Sequence, residues 1–458
     1  GIYYTFPDGV SLSPGGYVIL AKDPAAFSAR FMVPEGVTVV GGYDGQLSNS
    51  GEELILEDAE GNVIHRFEYD DDWYPLTDGQ GFSLSKHDPA GSLLSDWNDK
   101  LGWRASSYRE GSPGQGDLGW GIAPGRIVIN EIMAYMPEQP DWIELHNTTS
   151  EAIPLGGWFL SDRNTDDNRR RCYQIPETVI LPAAGYLVFY EDSTFGNSNA
   201  EGAIKTFGLS RYGETVYLFS GQNGQITGHY YAEQPFGVSR PGLSFGRYTY
   251  QDGQMCDFTV LNATTPGAAN TNPAVGPLVI REVMYHPEPC GTYDKEEYEY
   301  IEIYNISNYS VLLSEYDAEQ NAYYGWKLSD AVEFEFPLGA AIPSGGSVVV
   351  VRNIEAFTSR YPDVSSDIIF GPYDGRLNNA GETIDLLQPG ADNDGQRSYM
   401  RIDRVAYSNG FNPVGQDPWP FQANGRGMAL GRIDPAQYGN DPANWQAVPP
   451  SPGRTANE

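Results

Sequence analysis

The phrase Leu377-Asn-Asn-Ala-Gly381-Glu382-Thr-Ile-Asp-Leu386 has two earlier versions in this chain. They read Leu47-Ser-Asn-Ser-Gly51-Glu52-Glu-Leu-Ile-Leu56 and Leu209-Ser-Arg-Tyr-Gly213-Glu214-Thr-Val-Tyr-Leu218. The copies lie 162 and 168 residues apart in a chain of 458. A period of that size is a whole domain, because solenoid units recur every few tens of residues. The chain therefore reads as similar modules in tandem, the first of them incomplete.

The surrounding text repeats as well. Upstream of each phrase a turn leads into an apolar run: Leu12-Ser-Pro-Gly-Gly-Tyr-Val-Ile-Leu20, Leu181-Pro-Ala-Ala-Gly-Tyr-Leu-Val-Phe189 and Ile342-Pro-Ser-Gly-Gly-Ser-Val-Val-Val350. Pro and Gly supply the dihedrals of a tight turn. The β-branched and aromatic residues after it predict a buried strand. Each copy closes on Pro-Gly, in Ser112-Pro113-Gly114, Thr265-Pro266-Gly267 and Ser451-Pro452-Gly453. Asp23 to Phe31 and Asn353 to Tyr361 occupy the same place in copies one and three, and each predicts a short helix crossing between strands.

Copies two and three also share an opening. It reads Ile127-Val-Ile-Asn-Glu131, Trp142-Ile-Glu144-Leu-His-Asn147 and Gly157-Trp158-Phe-Leu-Ser-Asp162 in one. It reads Leu278-Val-Ile-Arg-Glu282, Tyr300-Ile-Glu302-Ile-Tyr-Asn305 and Gly325-Trp326-Lys-Leu-Ser-Asp330 in the other. Copy one shows no such opening: Phe6-Pro7 aligns with Phe336-Pro337, so about the first third of that module is not in this sequence. We expect a fragment or processed form of a longer protein, or strands donated by another chain. The expected layout is a first module over residues 1–117, a linker over 118–125, a second module over 126–272, a linker over 273–277 and a third module over 278–458. Insertions at 314–324 and 392–401 are expected as loops.

The phrases Ile-Asn-Glu-Ile, Trp-Ile-Glu-Leu-x-Asn, Gly-Trp-x-Leu-Ser-Asp and Leu-x-x-x-Gly-Glu-x-Val-x-Leu together resemble the lamin tail domain. Copies two and three carry all of them in order, and copy one carries the later ones. The resemblance implies an all-β protein of tandem immunoglobulin-like β-sandwiches joined by short Pro/Gly linkers. In bacterial members it implies arrays on large secreted or surface proteins, beside nucleases, phosphatases or adhesion domains. It supplies no catalytic residues.

Composition agrees with short strands and many turns: Gly 53, Pro 33, Tyr 31 and Trp 9. The net charge of −33 repels phosphate backbones, so nucleic acid is not an expected partner. It suits solubility, calcium-rich or salty surroundings, cationic partners and an acidic extracellular or cell-surface protein; the expected partners are other proteins, with self-assembly and glycans as further candidates. No apolar run approaches membrane-spanning length. The expected role is non-catalytic, structural or adhesive, in a filament or coat. The alternative is a calcium-dependent glycan- or ligand-binding appendage of a secreted hydrolase or nuclease.

The candidate sites are few. Hard oxygen ligands on loops are what Ca²⁺ requires, and three acidic clusters offer them: Asp70-Asp71-Asp72, Asp162 with Asp166 and Asp167, and Asp392-Asn393-Asp394. The last lacks the distal Glu of an EF-hand. Cys172 and Cys256 lie in one module, either as a disulfide or as small buried thiols, and Cys290 is left over. The recurrent pairs Glu131 with Glu144 and Glu282 with Glu302 have the composition of an acid–base pair, but acidic groups that satisfy turn N–H groups fit the repetition better. The same holds for Glu52, Glu214 and Glu382. Gly242-Leu-Ser244-Phe-Gly246 matches a nucleophile elbow, yet its third-module counterpart carries Ala429 in place of the serine. The five histidines form no metal pair. Trp158 and Trp326 read as core anchors. Trp73, Tyr74, Trp103, Tyr108, Tyr323 and Trp419 read as loop aromatics available for sugar stacking. Asn147, Asn262, Asn305 and Asn308 begin glycosylation triplets.

Overall fold

The computed structural model describes residues 1–87, 97–117, 122–164, 171–253, 255–411 and 417–454. It is an all-β chain of tandem immunoglobulin-like sandwiches. By contact the chain divides into two compact units. One gathers Gly1–Ile129, Pro140–Leu209 and Thr215–Pro235; the other gathers Asn130–Gln139, Ser210–Glu214 and the chain from Phe236 onward. These units cut across the sequence repeats.

In the first unit, the strand Val18–Ala21 pairs in parallel with Thr38–Gly41. Parallel neighbours need a crossover, and the helix Pro24–Arg30 supplies it. That helix starts where the sequence places it. The Asp23 carboxylate accepts the N–H groups of Ala25 and Ala26, and Pro24 sits in the first turn, where its missing N–H costs nothing. Glu52–Glu57 and Val63–Tyr69 form a hairpin, and Leu84–Lys86 pairs with Trp103–Ala105. The same unit holds a five-stranded sheet from the second repeat. Its order is Ala203–Lys205, Cys172–Gln174, Phe159–Ser161, Glu214–Gln222, Gln225–Phe236. Leu76, Phe82 and Ala105 of the first repeat share a buried cluster with Phe159, Cys172 and Phe219 of the second. The two repeats therefore bury apolar surface jointly.

The second unit contains the complete third repeat. One sheet has the order Ile369–Phe370, Ser347–Val351, Tyr300–Asn305, Leu278–Met284, Ala429–Arg432, Trp445–Val448. The other has the order Asp374–Gly375, Val332–Glu335, Lys327–Asp330, Gly381–Asn393, Gln396–Ser408. Between them lies a core that includes Ile280, Trp326, Leu328, Val348, Val350, Ile384 and Leu386. The run of valines at 348–351 is buried throughout for a simple reason. Val348 and Val350 face this core, while Val349 and Val351 face a second cluster under Phe357 of the helix Ile354–Arg360. A strand covered on both sides reads as continuous apolar residues. Asn353 caps that helix through the N–H of Ala356, matching Asp23 in the first repeat.

The second unit also takes in the hairpin of Phe245–Thr249 and Cys256–Val260. Its Asp257 accepts from Tyr438 Oη at 2.7 Å and Asn440 Nδ2 at 2.9 Å. Arg240 Nη2 donates to the Arg401 carbonyl at 2.6 Å. Polar bonds thus tie second-repeat residues to the third repeat.

Both insertions differ from the expected loops. Ser314–Asp317 and Ala322–Gly325 form a hairpin, and 392–401 extends the long hairpin of Gly381–Asn393 with Gln396–Ser408. Cross-strand pairing satisfies backbone groups that a loop would leave to water. The two hairpins lock to each other through an Arg397–Asp317 ion pair, with the guanidinium 3.9 Å from the Tyr324 ring centre.

Candidate functional site

The residues that repeat in the sequence turn out to hold turns. In every module the Gly-Glu of the repeated phrase closes a tight latch. Glu52 Oε1 accepts the N–H of Ser48 at 2.9 Å, Glu214 Oε1 that of Ser210 at 2.5 Å, and Glu382 Oε2 that of Asn378 at 2.8 Å. The glycine before each glutamate has positive φ: 86° at Gly51, 94° at Gly213 and 129° at Gly381. A Cβ there would also stand 2.4 Å from the Tyr69 carbonyl oxygen, or 2.7 Å from that of Phe236 or Tyr407. Only glycine satisfies both conditions.

The glutamates of the opening strands do a second job. Glu131 Oε1 accepts from Ser244 Oγ at 2.5 Å and Thr265 N at 2.9 Å, while Oε2 accepts from Thr265 Oγ1 at 2.6 Å. Glu282 Oε1 accepts from Ser451 N at 2.8 Å and Oε2 from Ser451 Oγ at 2.7 Å, and Tyr300 Oη donates to it as well. The Thr-Pro-Gly that ends the second module and the Ser-Pro-Gly that ends the third are thus pinned to the first strand of their own module. These bonds use up both carboxylates and fix Ser244 in the interior at 0% exposure, so the Gly242–Gly246 segment presents no nucleophile.

Two further glutamates are buried with less compensation. Glu302 lies opposite Glu282 across the strands and accepts from Gly453 N at 3.3 Å, with Arg281 3.8 Å away. Glu299 accepts from Tyr373 Oη and Leu377 N, each at 2.9 Å. Burial pushes both carboxyls up to about 7, against the pull of these bonds and of Arg281 and Arg352. A folded value above the ordinary 4.5 means that the native state keeps protons the unfolded chain releases between those pH values. Stability contributed by the neutral carboxyls is present below that window and is lost as pH rises through 7. We expect the third module to lose up to about 3 kcal/mol per carboxyl between pH 5 and pH 8. Urea unfolding followed by hydrogen exchange in Ser347–Val351 reads this, and Glu299→Gln with Glu302→Gln should flatten the dependence. A profile that rises from pH 5 to 8 would refute it.

The acidic candidates fall apart as a group. Asp70, Asp71 and Asp72 come together, with carboxylate oxygens within 4.8 Å of one another. Asp70 there caps the short 3-10 turn Asp71–Trp73 by accepting the Asp72 N–H at 2.8 Å. Asp162 follows the strand Phe159–Ser161, with its carboxylate only 5% exposed and 3.7 Å from Arg171. Burial raises its pKa, which disfavours the charged form a metal needs. Asp166 and Asp167 lie outside the described residues. Asp392 accepts the Gly395 N–H at 2.8 Å in a hairpin turn where Asn393 and Asp394 are exposed. Among the described residues these two aspartates join no cluster of three. Cys172 is a buried thiol in the first unit's core, and Cys256 is an exposed thiol with Arg247 Nη2 at 2.9 Å.

The comparisons bear on this arrangement directly. The family model of the Lamin Tail Domain matches residues 122–233 and 271–409, more than half of the chain. The chain belongs to the lamin tail domain family. No curated protein matches it closely enough to count as a relative. Among solved structures, a DUF4876 family protein from Bacteroides thetaiotaomicron is similar at 11% identity, covering 72% of this chain and 98% of that one. Its TM-score of 0.26 is too low to carry an argument.

Within the lamin tail modules, several residues have structural duties. Trp158 and Trp326 are core residues, at 6% and 1% exposure. Tyr74, Trp103 and Trp419 are buried too, against the expectation of exposed loop aromatics. Trp419 packs on Trp445, with ring centres 6.1 Å apart. Trp73 is half-buried, and Tyr108 and Tyr323 are exposed. Asn147 and Asn305 are fully buried and cannot accept a glycan. Asn305 Nδ2 donates to the Tyr309 and Ile342 carbonyls, both at 2.8 Å, and its Oδ1 accepts Ser307 N at 2.8 Å. Asn147 repeats the pattern with Thr149 N at 3.0 Å and the Pro182 carbonyl at 2.8 Å. The sequence signal was the asparagine ending both Ile-Glu-x-x-Asn phrases. Asn262 and Asn308 are exposed.

Proposed function

We propose that this chain is a non-catalytic, structural or adhesive run of modules in a large extracellular or cell-surface bacterial protein, and that it works by contact with other proteins, copies of itself included. The observation that carries this reading is the use of the recurring polar residues. Glu52, Glu131, Glu214, Glu282 and Glu382 all accept internal N–H or O–H groups, which leaves none of them poised for chemistry. No helix among the described residues is long and apolar enough to cross a membrane. A net charge of −33 favours cationic or neutral partners over nucleic acid.

Electron microscopy of the purified chain, with and without a chelator, tests this. Filaments or sheets support a structural subunit. Dispersed particles in both conditions, with a hydrolytic activity in the same preparation, would sink the reading. The second reading, a calcium-dependent glycan-binding appendage, is favoured by the Asp70–Asp72 cluster and by the exposed cross-strand pair Tyr316 and Tyr323, whose ring centres are 4.8 Å apart. For that reading, calcium should raise the melting temperature of the chain, and Asp70→Asn with Asp72→Asn should abolish the rise.

A further inference from the structure

The three modules treat one strand edge differently. In the first module Val18–Ala21 is joined in parallel by Thr38–Gly41, and in the third Ser347–Val351 is joined in parallel by Ile369–Phe370. A short helix precedes each added strand. The second-module counterpart is Tyr186–Tyr190. It pairs on one side with Trp142–Asn147 and stands at the end of its sheet. The chain after it, residues 191–202, forms turns and leads directly to Ala203–Lys205, which joins the other sheet beside Cys172–Gln174. This connection holds neither helix nor strand, so it leaves the outer edge of Tyr186–Tyr190 open. Among the described residues no strand pairs with that edge.

Backbone and side chains are both uncovered there. Asn147 N donates to the Gly185 carbonyl at 3.0 Å, and Glu191 N to the Asp141 carbonyl at 2.8 Å. Alternation along an antiparallel pair then turns the backbone groups of Leu187 and Phe189 toward Trp142–Asn147, and those of Tyr186, Val188 and Tyr190 outward. The Tyr190 carbonyl already accepts Thr194 N at 2.9 Å and Thr194 Oγ1 at 2.6 Å. That leaves Tyr186 and Val188 as the residues that offer both N–H and C=O at the edge. Val188 is half-buried and Tyr190 is 38% exposed, where Val349 and Val351, under Phe357 of the third module's helix, are 0%. Proteins blunt open edges with lysine, proline or a bulge. Tyr186-Leu-Val-Phe-Tyr190 has neither residue, and its register against Trp142–Asn147 is unbroken.

We propose that this edge is an interface between two copies of this chain, with Tyr186–Tyr190 paired antiparallel to its own counterpart about a two-fold axis at Leu187. In that register Tyr186 lies opposite Val188 of the second copy. The N–H of each meets the carbonyl of the other, and the symmetry repeats the pair. The strand also complements itself in charge. No charged side chain lies between Pro182 and Tyr190, and Glu191 falls opposite Ala183 of the second copy, so like charges do not meet. This inference rests on the reading of the chain as one that meets copies of itself, and it names the surface.

The test is sedimentation of the full chain over a range of concentrations, with amide exchange read at the same concentrations. We expect a monomer–dimer equilibrium, with exchange at Tyr186 and Val188 at least tenfold slower in the dimer. Leu187 and Phe189, bonded inward, should be protected in both forms. Val188→Pro removes an outward N–H and no bond within the module, so the fold should persist while the dimer weakens at least tenfold. Val188→Lys keeps the N–H, adds a charge at the edge, and should weaken the dimer as well. Association that leaves Tyr186 and Val188 unprotected would overturn this surface and leave self-contact standing. A monomer at every concentration would overturn both. Protection of the two amides that does not vary with concentration would place another segment of the same chain on the edge, and would overturn the dimer.

Discussion

Replacing Glu282 by alanine is expected to cost the third module on the order of 4 kcal/mol. Three donors converge on this carboxylate: Ser451 N, Ser451 Oγ and Tyr300 Oη. Glu282 is 3% exposed and Tyr300 0%, so water cannot readily replace the lost acceptor. Each buried donor left unpaired costs about 1–3 kcal/mol. Glu302 opposes the loss in part. It lies directly across from Glu282, and its charge is disfavoured by that neighbour. Urea unfolding at pH 5.5, where Glu302 holds its proton, separates the two effects. Glu282→Gln should cost about half as much, because one of its amide hydrogens then faces a donor. A cost below about 1 kcal/mol for Glu282→Ala would show that the closing turn is held by other means.

Trp326→Ala is the second large change expected, at about 3–5 kcal/mol. The side chain is 1% exposed and packs in the core between the two sheets. Its indole N–H has no hydrogen-bond partner among the described residues, so the loss is one of packing and not of a polar bond. Trp326→Phe should therefore recover much of the stability, leaving only a smaller cavity. Calorimetry of the full chain should show one transition moving down while that of the first unit stays in place. A shift of both together would mean that unfolding is cooperative along the whole chain.

Most of the fold was legible because the chain repeats itself. The Gly-Glu phrase predicts a turn whose N–H groups a carboxylate satisfies, and the segments opening at Asp23 and Asn353 predict short helices, since local backbone chemistry fixes both; the positive φ of the glycines comes from the structure. The valines at 348–351 predict a buried strand, and the structure adds that both of its faces are covered. The insertions are less legible, because tyrosines such as Tyr316, Tyr323 and Tyr399 suit a loop as well as a strand, and cross-strand pairing makes these segments hairpins. The buried aromatics Tyr74 and Trp419 misled for another reason: packing is long-range, and no local pattern distinguishes a loop tryptophan that folds inward. The bonds of Asp257 to Tyr438 and Asn440 occur in one copy only, so no repetition signalled them.

The central claim is that the thrice-written glutamate is a latch of the fold and not a reactive or metal-binding group. Amide hydrogen exchange at Ser48, Ser210 and Asn378 tests it most directly, in the parent chain and in Glu52→Ala, Glu214→Ala and Glu382→Ala. The account predicts protected amides in the parent and at least tenfold faster exchange at the matching amide alone in each variant. Fast exchange at all three amides in the parent chain would leave the carboxylates unengaged, and would contradict it.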